Sequence, residues 1–251
     1  MFRNWLLASV PVALMGATSA HADIIISDFT DAYTLEAGNG SPLSNDASFA
    51  TADLGGEVDV SITTAAGTES SIQSGFGGGA TLLAASQDVG ASGSATLSWD
   101  GIDGDPSVAV PGLGLDITQG GNDHFEVVVD SLDLAQVTLT VTVFSDDPAN
   151  GTFNSSTGII VNGPLPGGSN QIFTADFASL VGAADLTNVA AINLELLAAQ
   201  NATDISLDLF RINSKGENVS TPGSALLTAA GLALILAGSL IWRTPRQRFP
   251  S

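Results

Sequence analysis

In Val137-Thr138-Leu139-Thr140-Val141-Thr142-Val143 every second side chain is apolar and the ones between are threonines. A period of two with β-branched residues on both faces is what an extended strand with one wet side requires, and no helix can satisfy it. The same alternation recurs in Val58-Asp59-Val60-Ser61-Ile62, in Ile192-Asn193-Leu194-Glu195-Leu196 and in Ile205-Ser206-Leu207-Asp208-Leu209. Less regular candidates are 24–29, 80–86, 95–99, 125–129, 158–161 and 171–177. Glycine, aspartate, asparagine and proline clusters punctuate these runs, at 100–106, 120–123, 146–151 and 162–168, where such residues form turns. About ten short strands in one domain predict an all-β sandwich, with a jelly roll favoured over an immunoglobulin-like order. Periodicity alone leaves both topologies open.

Charge is distributed as unevenly as hydropathy is regular. All 26 acidic residues fall between Asp23 and Val219, where Arg211 and Lys215 are the only bases. Such a surface repels phosphate backbones and anionic lipid headgroups, which excludes nucleic acid as a partner. The four remaining bases are Arg3 near the start and Arg243, Arg246 and Arg248 at the end.

Both ends of the chain carry apolar stretches of a different kind. Residues 1–22 combine Arg3, an apolar run from Trp5 to Gly16 and then Ala20-His21-Ala22, an A-x-A pattern that predicts a secretory signal cleaved before Asp23. The mature chain is therefore expected outside the cytoplasm, with no cysteine to form disulfides. Residues 224–242 contain no charge and as a helix would be about 28 Å long, close to the hydrocarbon thickness of a bilayer. Trp242 stands where an interfacial aromatic belongs, and Arg243, Arg246 and Arg248 make a basic tail, 243–251, expected on the cytoplasmic side. The predicted layout is a signal peptide (1–22), a β-sandwich ectodomain (23–212), a linker with a sorting motif (213–223), a transmembrane helix (224–242) and the basic tail.

The tripartite C-terminus, Val219-Ser220-Thr221-Pro222-Gly223-Ser224 followed by a Leu/Ala/Gly helix and arginines, resembles the sorting tails of the PEP-CTERM family. The family's Pro-Glu-Pro is replaced here by Ser220-Thr221-Pro222. Shorter runs are similar to ectodomains that precede such tails: Leu54-Gly55-Gly56-Glu57-Val58-Asp59-Val60, Leu97-Ser98-Trp99-Asp100-Gly101, Gly114-Leu115-Asp116-Ile117-Thr118, Asp185-Leu186-Thr187-Asn188-Val189, and a closing strand at Asp204 to Ile212. The resemblance implies a surface protein handled by an exosortase-like membrane transpeptidase of Gram-negative bacteria, with no implied activity.

The residues offer little catalytic chemistry. His124 is the only histidine after the signal and is expected as an exposed turn residue, so a Ser-His-Asp arrangement has nothing else to build on. Cys/His metal sites and thiol catalysis are ruled out by composition. The glycine run Gly75-Phe76-Gly77-Gly78-Gly79 has no lysine beside it and reads as a loop rather than a phosphate cradle. Two acidic turns are calcium candidates: Asp100, Asp103 and Asp105, and Asp146, Asp147 and Asn150. Carboxylates suit a hard cation, although ordinary solvated turns have the same composition. No other cofactor is indicated.

Two function classes follow. One is a non-catalytic exported surface or extracellular-matrix protein, held at the membrane by its tail. The alternative is a carbohydrate-binding module on the same sandwich, engaging extracellular polysaccharide. Trp99 separates them, being expected in the core under the first reading and on a sugar-stacking platform under the second.

Overall fold

The computed structural model describes residues 23–38, 42–65, 68–75, 82–88, 91, 93–105, 112–132, 136–147, 152–164, 170–198 and 204–215. Fourteen strands are present among them: β1 (Ile24–Ser27), β2 (Tyr33–Gly38), β3 (Ser44–Ala50), β4 (Glu57–Thr64), β5 (Glu69–Ser74), β6 (Leu83–Gln87), β7 (Gly93–Trp99), β8 (His124–Leu132), β9 (Gln136–Asp147), β10 (Thr152–Pro164), β11 (Gln171–Asp176), β12 (Val181–Gly182), β13 (Val189–Ala198) and β14 (Asp204–Asn213). Sheet 1 has the order β11-β8-β14-β6-β5-β2, with β1 also on β14; sheet 2 has the order β12-β10-β9-β13-β7-β4-β3. Every pairing is antiparallel. The chain passes repeatedly from one sheet to the other, as in a jelly roll.

The alternating runs account for the two faces. In β9, Val137, Leu139, Val141 and Val143 are buried between the sheets, while the threonines between them face outward. Val58, Val60 and Ile62 of β4 do the same, as do Leu194 and Leu196 of β13 and Ile205 and Leu207 of β14. Aromatic residues bridge the layers. Tyr33 of sheet 1 stacks on Phe49 of sheet 2 at 4.9 Å, and Trp99 of sheet 2 meets Phe210 of sheet 1 at 5.5 Å. Trp99 is wholly buried, at 0% exposure, so it packs in the core and offers no platform to a ligand.

Four strands lie outside the sequence expectation: β2, β3, β5 and the two-residue β12. In β5 the inward side chains are Ser70, Ile72 and Ser74, so serines mask the apolar period. They are accommodated because Ser70 Oγ donates to Thr64 Oγ1 at 3.0 Å and Ser74 Oγ donates to the Phe29 carbonyl at 3.1 Å. Strand β3 is the edge of sheet 2 and keeps Asn45 half-buried and Asp46 exposed. Strand β2 does alternate, with Tyr33, Leu35 and Ala37 buried. No helix among the described residues is long and apolar enough to cross a membrane. The predicted signal, sorting motif, membrane span and basic tail lie outside the described residues.

Candidate functional site

Two places on the outer faces of the sandwich concentrate polar side chains. The first is on sheet 2. Because Val58 and Val60 point into the core, Glu57 and Asp59 must point out, yet both are buried, Asp59 to 2% exposure. They are covered by the loop that follows β7, Asp100 to Asp105. Two glycines allow that loop to approach. Gly55 and Gly56 both have φ +84; a Cβ on Gly55 would stand 3.2 Å from the Gly101 nitrogen, and one on Gly56 2.9 Å from Ile102 Cδ1. The loop is then fastened to Glu57, whose Oε1 accepts the Asp103 N–H at 3.3 Å and the Gly104 N–H at 2.9 Å.

The result is a carboxylate cluster in which one oxygen each from Glu57, Asp59 and Asp103 lie within 4.8 Å of one another. Asp100, at 3% exposure, stands beside them. Neither oxygen of Asp59 has a hydrogen-bond partner, and Ser48, opposite it on β3, has a buried hydroxyl that is also unpartnered. Burial pushes the Asp59 carboxyl up to about 7. The charges of Asp100 and Glu57 add to the rise. These oxygens have the chemistry to hold a hard divalent cation.

Of the residues predicted as calcium ligands, Asp103 is in the cluster and Asp100 borders it. Asp105 is exposed, and its N–H instead donates to Asp103 Oδ1 at 2.8 Å. Glu57 and Asp59 were not anticipated, since only the fold brings β4 under this loop. The signal was their i, i+2 spacing on a wet face directly after Gly55-Gly56. In the second acidic turn, Asp146 lies on β9 opposite Phe153, while Asn150 and the Asp147 side chain are outside the described residues.

The second place is a trough of about 490 Å³ on the outer face of sheet 1. Register puts Ser71, Ser86 and Asp204 in one row across β5, β6 and β14, and Gln73, Ala84, Ser206 and Ser131 in the next, across β5, β6, β14 and β8. Short side chains on the central strands make the floor. Ser131 and Ser206 share a hydrogen bond at 2.6 Å, and Ser206 Oγ donates to Asp130 Oδ2 at 3.4 Å.

His124 corrects the sequence expectation, because it opens β8 at 4% exposure instead of sitting exposed in a turn. Its Nδ1 lies 2.6 Å from Asp123 Oδ1 and its Nε2 3.8 Å from Glu126 Oε2. Arg211 donates to Glu126 Oε1 from Nε at 2.8 Å and to Asp23 Oδ2 from Nη1 at 2.9 Å, and Lys215 pairs with Asp176. No serine hydroxyl meets either ring nitrogen of His124 among the described residues, so no catalytic triad forms there. Both Lys and Arg residues among the described residues are spent in this group.

No family model and no curated protein sequence matches the chain. Among solved structures it is similar to the family 11 carbohydrate-binding module of the cellulosomal cellulase Lic26A-Cel5E of Clostridium thermocellum, at 13% identity and a TM-score of 0.40 over 78% of this chain and 96% of that one. It is also similar to the family 11 module of Clostridium thermocellum in complex with a β-1,3-1,4-mixed-linked tetrasaccharide, at 12% identity and a TM-score of 0.37 over 78% and 98%. The CBM22-1-GH10 modules of xylanase 10B from the same organism, complexed with xylohexaose, match at 13% identity and a TM-score of 0.36 over 78% of this chain and 29% of that one. Likeness at this level does not bear on what this chain binds.

Proposed function

We propose that this chain is a non-catalytic, exported cell-surface or matrix protein whose ectodomain binds neutral polysaccharide along the trough of sheet 1. The trough carries the reading. Its volume of about 490 Å³ lies within the range of roughly 300–1,000 Å³ usual for ligand sites. Ser71, Gln73, Ser86, Asp130, Ser131, Asp204 and Ser206 supply hydroxyl, amide and carboxylate groups for sugar hydroxyls, over the apolar patch of Leu82 and Ala84. The absence of a base from this lining favours uncharged glycans over uronates, which the acidic surface repels. With Trp99 in the core, affinity here rests on hydrogen bonds instead of ring stacking. On this reading the N-terminal signal exports the protein, and the tail beginning at Val219 anchors it or delivers it to an exosortase-like enzyme.

Affinity electrophoresis of the protein in gels containing neutral soluble glycans tests the proposal. Retardation is expected on at least one of them, with none on an anionic polyuronate. Gln73→Ala combined with Asp130→Ala should weaken binding about tenfold, the equivalent of roughly one or two net hydrogen bonds, without moving the thermal midpoint. Wild-type retardation by that double variant, or no retardation by any neutral glycan, would overturn the reading.

A further inference from the structure

We propose that Glu57, Asp59 and Asp103 form a calcium site on the outer face of sheet 2, which locks the loop after β7 onto β4. Geometry supplies the first argument. Calcium holds oxygens at about 2.3–2.6 Å, so two of its ligands stand at most about 5 Å apart, and the three oxygens here lie within 4.8 Å of one another.

The second argument comes from Asp59 itself. Its side chain is 2% exposed and both oxygens lack a hydrogen-bond partner, in a cluster that also holds Glu57 and borders Asp100. A buried carboxylate is stable only when it is paired, hydrogen-bonded or neutralised. No base is on hand to pair with it. Arg211 is engaged with Glu126 and Asp23, and Lys215 with Asp176, and these are the only Lys or Arg residues between Asp23 and Val219. The remaining neutralisers are a proton and a bound cation. A cation held by the neighbouring carboxylates neutralises it without any base.

The third argument concerns which cation. Magnesium demands near-ideal octahedral oxygens at about 2.0–2.1 Å and keeps its waters, whereas calcium accepts irregular carboxylate sets. Two of these ligands are fixed side by side on β4 and the third arrives on a six-residue loop, Asp100 to Asp105, an irregular set of that kind. The loop bonds to Glu57 Oε1 through two N–H groups, at 3.3 and 2.9 Å. A cation on the neighbouring oxygens would therefore hold the same loop from its side chain as well as its backbone. The site is independent of the trough, which lies on the other sheet.

Calorimetric titration and thermal unfolding of the full chain, purified in detergent and stripped with EDTA, test the proposal at about pH 7.5. One calcium per chain is expected, with a dissociation constant of about 10⁻⁴–10⁻³ M or tighter, as in extracellular modules. The unfolding midpoint should rise with the logarithm of calcium concentration, while magnesium does no more than sodium chloride of equal ionic strength. Asp59→Asn should weaken calcium at least tenfold while its ion-free midpoint is no lower than wild type. Asp103→Asn, on the exposed loop, should weaken it several-fold without unfolding, and Asp105→Asn should leave it unchanged. Calcium acting no differently from magnesium would overturn the site, as would wild-type affinity in both Asp59→Asn and Asp103→Asn. Loss of the response in Asp105→Asn alone would overturn the ligand assignment.

Discussion

Replacing Asp59 with asparagine should stabilise the ion-free protein above neutral pH and do nothing in acid. In the folded state the Asp59 carboxyl is pushed up to about 7 from its ordinary 3.8, by burial first and by the charges of Asp100 and Glu57 in addition. Between those two values the folded chain holds a proton that the unfolded chain has released. The favourable contribution of the neutral acid is therefore full below about pH 4 and is lost as pH rises through about 7. Taken whole, the shift corresponds to about 4 kcal/mol at 1.36 kcal/mol per unit. Asp59 lies on the outer face of its sheet rather than between the sheets, so screening and relaxation reduce this to about 2 kcal/mol. Asparagine keeps the shape, never ionises and supplies donors to the neighbouring oxygens. Urea unfolding of both proteins in EDTA should give a variant about 2 kcal/mol more stable at pH 8.5 and a difference near zero at about pH 4. Taking the difference cancels the carboxylates remote from Asp59, which are unaffected by the substitution. A variant less stable than wild type at pH 8.5, or a difference that does not change with pH, would refute the account of Asp59 as a buried acid without a partner.

Arg211→Met should cost roughly 3 kcal/mol at neutral pH, because Glu126 is left buried without its cation. Urea unfolding of variant and wild type at neutral pH checks this, and a difference below about 1 kcal/mol would refute it. At the other end of the chain, Pro222→Ala should alter the mature C-terminal mass or the partition between membrane and medium while leaving export intact. Identical masses and identical partition in mutant and wild type would make the tail a plain anchor.

What local pattern decides, the sequence revealed. Alternation over Val137 to Val143 and Ile192 to Leu196 gave strands with one face in the core because side chains on a strand change sides at every residue. That depends on nothing distant. The same holds for the acidic charge and for the glycine and aspartate turns. Strand β5 escaped because Ser70 and Ser74 take inward positions, where hydrogen bonds from elsewhere, to Thr64 and Phe29, make them tolerable.

The sites were less legible, for a related reason. The turn at Asp100 to Asp105 stood out as acidic, but its partners Glu57 and Asp59 look like ordinary wet-face residues of a strand, and Glu57 is separated by 46 positions from the Asp103 N–H it accepts. His124 looked exposed because its own segment is a polar turn, and it is buried because β8 runs between β11 and β14, where it pairs with Asp176 and Asn213. The trough exists only because strands distant in sequence set small residues side by side. Which face a side chain takes is fixed by its parity along the strand, and that is written locally. Whether that face meets water, a capping loop or a row of small neighbours depends on register and crossover, which are settled only when the two sheets close on a common core.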